Sequence, residues 1–214
     1  MKSTLKYSII AVLIFITLFN CTANVAIKSD LNGTKWIGTD GENIVSLAFI
    51  STDTCIIENE YGSGKSDQAK YIWNSKIMTG SISIGESDDR VISFNERINI
   101  LKYDDDGKIV LFQIENESNK EGNIEKTKWY GIENGEIVYI EFGSNGELNG
   151  QKLDSTSSDD SISGKYTWDQ QQKAGNIALY KDMPISLVRN ANCLELSISQ
   201  SDGNNTISYF VKGK

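Results

Sequence analysis

The chain of 214 residues carries a formal charge of −8 and contains eighteen glycines, one proline, three cysteines and no histidine. An acidic surface repels phosphate backbones, which argues against a nucleic-acid partner, and Lys and Arg form no cluster able to grip anionic headgroups. Without histidine, the side chain that most readily moves protons near neutral pH is absent; the abundant Ser, Thr, Ile, Val and Tyr read as all-β.

In chain order, Lys2 and Lys6 open a short basic segment, and Ile9 to Phe19 is an almost wholly apolar run. Such a run is too short to cross a bilayer as a helix but suits the centre of an export signal. It ends at Leu18-Phe19-Asn20-Cys21, which resembles a bacterial lipoprotein signal. The resemblance implies removal of residues 1–20, lipidation of Cys21 and a tether over 21–32. Acyl chains on Cys21 would hold the protein at a membrane. The expected location is therefore the cell envelope, at the outer membrane or cell surface. An ordinary secretory peptide or an uncleaved anchor is the alternative. Loss of Lys2 and Lys6 would take the formal charge from −8 to −10.

Beyond residue 32 the chain repeats itself. The segments TKWIGTDGENIVSLAF (34–49) and TKWYGIENGEIVYIEF (127–142) share seven of sixteen positions at an offset of 93. Tyr71-Ile72-Trp73 aligns with Tyr166-Thr167-Trp168, and Gly80–Ile84 with Gly175–Leu179. Ile92-Ser93-Phe94 aligns with Ile185-Ser186-Leu187, and 98–107 with 194–203. Alternation predicts about eight strands per copy, many separated by Asp-Gly or Asn-Gly turns. The polar segment 116–126 reads as a linker between repeats 33–115 and 127–214. Val45, Leu47 and Phe49 share one strand face, as do Val138, Ile140 and Phe142, and this face is assigned to the core. The opposite face, Ile44-Ser46-Ala48 against Ile137-Tyr139-Glu141, has diverged and is expected to be wetted. No helical stripe is long enough to cover a sheet, so each copy must bury its apolar face by closing on itself. The prediction is two tandem small up-and-down antiparallel β-barrels of about eight strands each. One larger barrel or sandwich built from both repeats is the alternative.

On Gly33-Thr34-Lys35-Trp36 and Thr127-Lys128-Trp129 the chain resembles the lipocalin-like (calycin-like) domains of bacterial envelope lipoproteins. The resemblance implies that Trp36 and Trp129 each close one end of a barrel. Tyr71, Trp73, Tyr166 and Trp168 lie on equivalent strand faces and could line a ligand cup or fill a core; a barrel of this size allows either. Cys55 and Cys193 occupy non-equivalent places in the repeats and are expected to be buried and unpaired.

The motifs that invite chemistry are incomplete. Tyr61–Ser66, YGSGKS, has Asn59 where a phosphate loop needs glycine. Lys102–Gln113, KYDDDGKIVLFQ, lacks carboxylates at both ends of a calcium loop. The pairs Asp88-Asp89 and Asp159-Asp160 fall in polar loops, and Ser-rich 155–163 has no histidine to activate a hydroxyl. No catalytic residue, metal site or cofactor is predicted. The expected function is a non-catalytic interaction module that meets another envelope protein, with Ile137 and Tyr139 hinting at a docking patch. The alternative is a binder of a small hydrophobic ligand inside one or both barrels.

Overall fold

The computed structural model describes residues 30–59, 66–86, 89–115, 123–155, 157, 161–179, 184–190, 193–199 and 205–213. The export signal, Cys21, residues 116–122 of the linker, Tyr61–Lys65, Asp88 and Asp159-Asp160 lie outside them.

Repeat 1 comprises β1 (Lys35–Thr39), β2 (Ile44–Phe49), β3 (Thr54–Asn59), β4 (Ser66–Asn74), β5 (Thr79–Ser83), β6 (Arg90–Asn95), β7 (Ile100–Asp105) and β8 (Lys108–Ile114). Repeat 2 comprises β9 (Thr127–Glu133), β10 (Glu136–Phe142), β11 (Glu147–Lys152), β12 (Ser161–Asp169), β13 (Ala174–Ala178), β14 (Pro184–Asn190), β15 (Cys193–Ser199) and β16 (Asn205–Lys212). Each set forms a closed antiparallel barrel in which strands adjacent in sequence are adjacent in space. Closure comes from Trp36 opposite Ile114 in the first and Val211 opposite Tyr130 in the second. The larger single barrel is not formed. Two of the predicted turns are two-residue hairpin connections with both φ angles positive, Asp106-Gly107 and Asn134-Gly135, the conformation that matches strand twist.

Every residue of the repeated Thr-Lys-Trp-x-Gly has a structural reason. The indoles of Trp36 and Trp129 are fully buried, and each donates its Nε1–H to the threonine two residues before it, at 2.8 Å in both copies. Thr34 and Thr127 in turn donate their hydroxyls to the carbonyls of Leu31 and Ile124. Both of these residues are buried in the barrel cores. The lysines point outward into ion pairs, Lys35 with Glu115 at 3.1 Å and Lys128 with Glu141 at 2.9 Å. Gly38 and Gly131 leave room for the rings of Phe112 and Phe210, which a Cβ at either glycine would strike. Gly33, at φ +75°, turns the chain into the first barrel, and Lys126 makes the same turn at φ +60° in the second. Thus the second copy keeps a turn that favours glycine without having the glycine.

The outer face of the early strands is not wetted as expected. Ile44 and Ser46 are each 3% exposed. Ile37, Ile44, Ile98, Ile100 and Leu111 of repeat 1 pack with Tyr130, Cys193, Tyr209 and Val211 of repeat 2 in a third apolar core. Ile137 and Tyr139 are half-buried against this core, so the proposed docking patch is an internal contact. The seam also carries polar links. Tyr209 N–H donates to the Gly41 carbonyl at 2.9 Å, Lys212 N–H to Gln113 Oε1 at 3.0 Å, and Arg97 pairs with Asp154 at 2.7 Å. The apolar outer positions diverged because they serve opposite sides of one asymmetric joint.

Candidate functional site

The four aromatics predicted as ligand-lining lie toward the end of each barrel that holds Trp36 or Trp129. Tyr71 is 3% exposed, meets Phe49 edge-on at 4.7 Å and donates its hydroxyl to the Ser51 carbonyl at 2.7 Å. Tyr166 repeats this with Phe142 at 4.9 Å and the Gly143 carbonyl at 2.9 Å. Trp73 and Trp168 are half-buried against their cores, and Trp168 also borders a shallow outer groove with Gln171 and Asn176. Burial pushes the Tyr71 hydroxyl up to about 12. These rings belong to the frame.

The two interiors differ most at the opposite end, and the difference emerges once the strands are matched by pairing. Leu101 stands between Phe94 and Phe112, as Leu194 stands between Arg189 and Phe210. The true counterpart of Ile92 is therefore Leu187, two residues beyond the sequence alignment, and that of Leu101 is Leu194, three residues before it. In this register Phe94, edge-on to Trp36 at 6.0 Å, is replaced by Arg189, whose buried guanidinium carbon lies 5.4 Å from the Trp129 ring.

Larger consequences appear toward the mouth. In repeat 1, Arg90 and Asp105 face each other across β6 and β7 and form a 2.8 Å ion pair above the buried Tyr103. Their counterparts in repeat 2 are Ile185, Ile198 and Leu196. Ile57 and Val110 become Gly150 and Ser208, and Ala69 becomes Gly164. Each change removes volume or polarity from the interior. Ile162 and Leu179 lean over the two glycines, so a Cβ at Gly150 would lie 2.8 Å from Ile162 and one at Gly164 would lie 2.8 Å from Leu179.

The result is a cavity of about 310 Å³ in the second barrel, walled by Val138, Ile140, Leu148, Ile177, Ile185, Leu196 and Ile198, with Phe210 among the lining residues. This volume falls in the range of small-molecule sites, which are concave and mostly apolar with few polar groups. The polar groups here stand at the mouth. Glu133 and Glu136 face each other across the Asn134-Gly135 turn, and Lys152 pairs with Glu136 at 2.6 Å. Glu133 lines the cavity and has no ion-pair partner among the described residues. Its counterpart Asp40 is fully engaged: the backbone N–H groups of Asn43 and Glu42 donate to it at 2.7 and 3.1 Å, and Lys108 pairs with it at 3.1 Å. Burial alone would raise the Asp40 pKa, but hydrogen bonds from Asn43, Lys108 and Glu42 outweigh it and hold the carboxyl below its usual range.

Other candidates resolve into structure. Cys55 is buried in the core of repeat 1, where burial pushes its thiol up to about 11, and Cys193 is buried in the shared core; neither forms a disulfide. Asp104 accepts the Gly107 N–H and pairs with Lys102, which closes the predicted turn. Among the described residues no three His, Cys, Asp or Glu side chains gather as a metal site.

No protein-family model and no curated protein matches the chain. Among solved structures it is similar to β subunits of DNA polymerase III, with identities below a tenth and little superposable structure. The Pseudomonas aeruginosa subunit is 6% identical, over 86% of this chain and 57% of that one, at a TM-score of 0.14. The Streptococcus pneumoniae chain is 9% identical over 92% and 63%, at 0.14. The Borrelia burgdorferi subunit in complex with a natural product is 7% identical over 87% and 59%, at 0.16. The chain spans less than two thirds of the length of each.

Proposed function

We propose that the chain is a non-catalytic, lipocalin-like binding protein of the cell envelope, tethered through a lipid on Cys21, whose second barrel holds one small apolar ligand. The first barrel, with its ion-paired mouth, is the support. The observation that carries this reading is the paired comparison of the two interiors. Arg90, Tyr103, Asp105 and Val110 close the first mouth, while Ile185, Leu196, Ile198 and Ser208 border a 310 Å³ apolar cavity in the second. A duplication that had merely drifted would scatter polar groups among the inward positions of the second copy. Here the changes at the mouth remove the charges of Arg90 and Asp105 and the bulk of Tyr103 and Val110 together, while the buried Arg189 stands at the far end beside Trp129. The hint of a docking patch at Ile137 and Tyr139 is weakened, because both are half-buried against the shared core.

The test transplants the first mouth onto the second. The variant Ile185→Arg, Leu196→Tyr, Ile198→Asp and Ser208→Val is compared with the parent chain for binding of an environment-sensitive apolar fluorophore. The parent is expected to bind with a stoichiometry of one, and the variant to lose binding by about two orders of magnitude as the cavity fills. Native mass spectrometry of the protein extracted from its own membrane should show a retained small molecule. Undiminished binding by the variant refutes the assignment of the site.

A further inference from the structure

We infer that the ligand of the second barrel carries a cationic head, an ammonium group on a compact aliphatic body; this rests on the reading of that barrel as a ligand cup. The body is set by the cavity. At about 30 Å³ for each water-sized heavy atom, 310 Å³ holds about ten such atoms. The wall is mostly aliphatic, with Phe210 and Tyr139 as its aromatic residues, and Gln151 and Ser208 are too few to make a ring of donors for a sugar or nucleotide.

The head is set by what the second mouth has lost. Repeat 1 brings two cations to its mouth, Arg90 paired with Asp105 and Lys108 paired with Asp40. The pairing register places Ile185 and Thr206 at those two positions in repeat 2. The carboxylate itself is retained, as Glu133 in place of Asp40. Lys152 reaches the same mouth but is held by Glu136 at 2.6 Å. Among the described residues the cup edge therefore carries two carboxylates and one cation, and the cation is already committed. An alkylammonium bound tail-first restores the charge that Lys108 supplies in the first repeat. A carboxylate ligand would face Glu133 and would have to take Lys152 from Glu136.

Octylamine, octanol and octanoate share a tail that fits and differ at the head, and they can be compared in displacement of an apolar fluorophore from the full chain. Octylamine should displace at about three- to fivefold lower concentration than octanol, the scale of an exposed ion pair, with octanoate the weakest. The ratio should shrink as salt rises. In Glu133→Gln the amine-to-alcohol ratio should fall to about one, while Glu141→Gln, on the outer face, should keep the parental ratio. Equal binding of the three compounds, or octanoate binding best, overturns the cationic head and leaves the cup standing. Failure of all three to displace the probe overturns both.

Discussion

Leu111→Ala separates two pictures of this molecule. Leu111 is fully buried, yet it points away from the interior of its own barrel and into the core shared with repeat 2. If the repeats were independent beads, the residue would be exposed and its truncation would fall within about 0.5 kcal/mol of zero. In the observed packing the substitution removes three buried carbons, worth ~2.4 kcal/mol at 0.8 kcal/mol each. Space that does not collapse raises the loss to as much as ~5 kcal/mol. Urea unfolding followed by tryptophan fluorescence measures this, since each repeat carries two of the four tryptophans. The parent should unfold in one transition, and the variant midpoint should fall with an unchanged slope. A change below about 0.5 kcal/mol, or two separate transitions of which only one moves, would refute the idea that the barrels are thermodynamically joined.

Lys126→Gly should stabilise the chain by about 0.5–1 kcal/mol in the same assay, because relief of a left-handed conformation outweighs the added freedom of the unfolded glycine. Thr127→Val should cost about 1–3 kcal/mol by leaving the buried Trp129 N–H without its acceptor. The Asp40 carboxyl has a folded pKa below its unfolded value, so its stabilising contribution is full above about pH 4 and is lost as pH falls through the folded pKa. Asp40→Asn should accordingly flatten the acid limb of the stability profile, measured by urea midpoints between about pH 6 and pH 2.5. Cys55 and Cys193, both buried, should resist a thiol reagent in the native state and react in step with global unfolding.

The barrels were legible in the sequence because period-two alternation and a recurring motif are local signals. Val45, Leu47 and Phe49 announce their face wherever the rest of the chain goes, and the eight strands per copy expected from alternation are the eight observed. The joint between barrels was not legible. Ile37, Ile44 and Leu111 look like scattered apolar residues on a solvent face until the second copy is laid against them. The cup was hidden for a different reason. Loop lengths differ between the copies, so the strand offset runs from 93 to 95, returns to 93, and then reaches 98 at the last strand. An alignment that slides Ile92 onto Ile185 conceals the replacement of Arg90, and one that slides 98–107 onto 194–203 conceals the replacements of Tyr103 and Asp105. Strand pairing restores the correspondence, and the substitutions that hollow the second interior become readable as a set. Of the two roles left open for the aromatics, Tyr71 and Tyr166 take up a core position, with their hydroxyls bonded to loop carbonyls at the end away from the mouth.

The seam that joins the repeats bears on why both have persisted. A cylinder with a vacant centre forgoes dispersion contacts that a filled one keeps, and alone it would sit nearer the edge of collapse. Braced along its flank by its twin, it can hold that vacancy open. Deleting the first copy would therefore cost the second its shape, which binds the fate of both halves together.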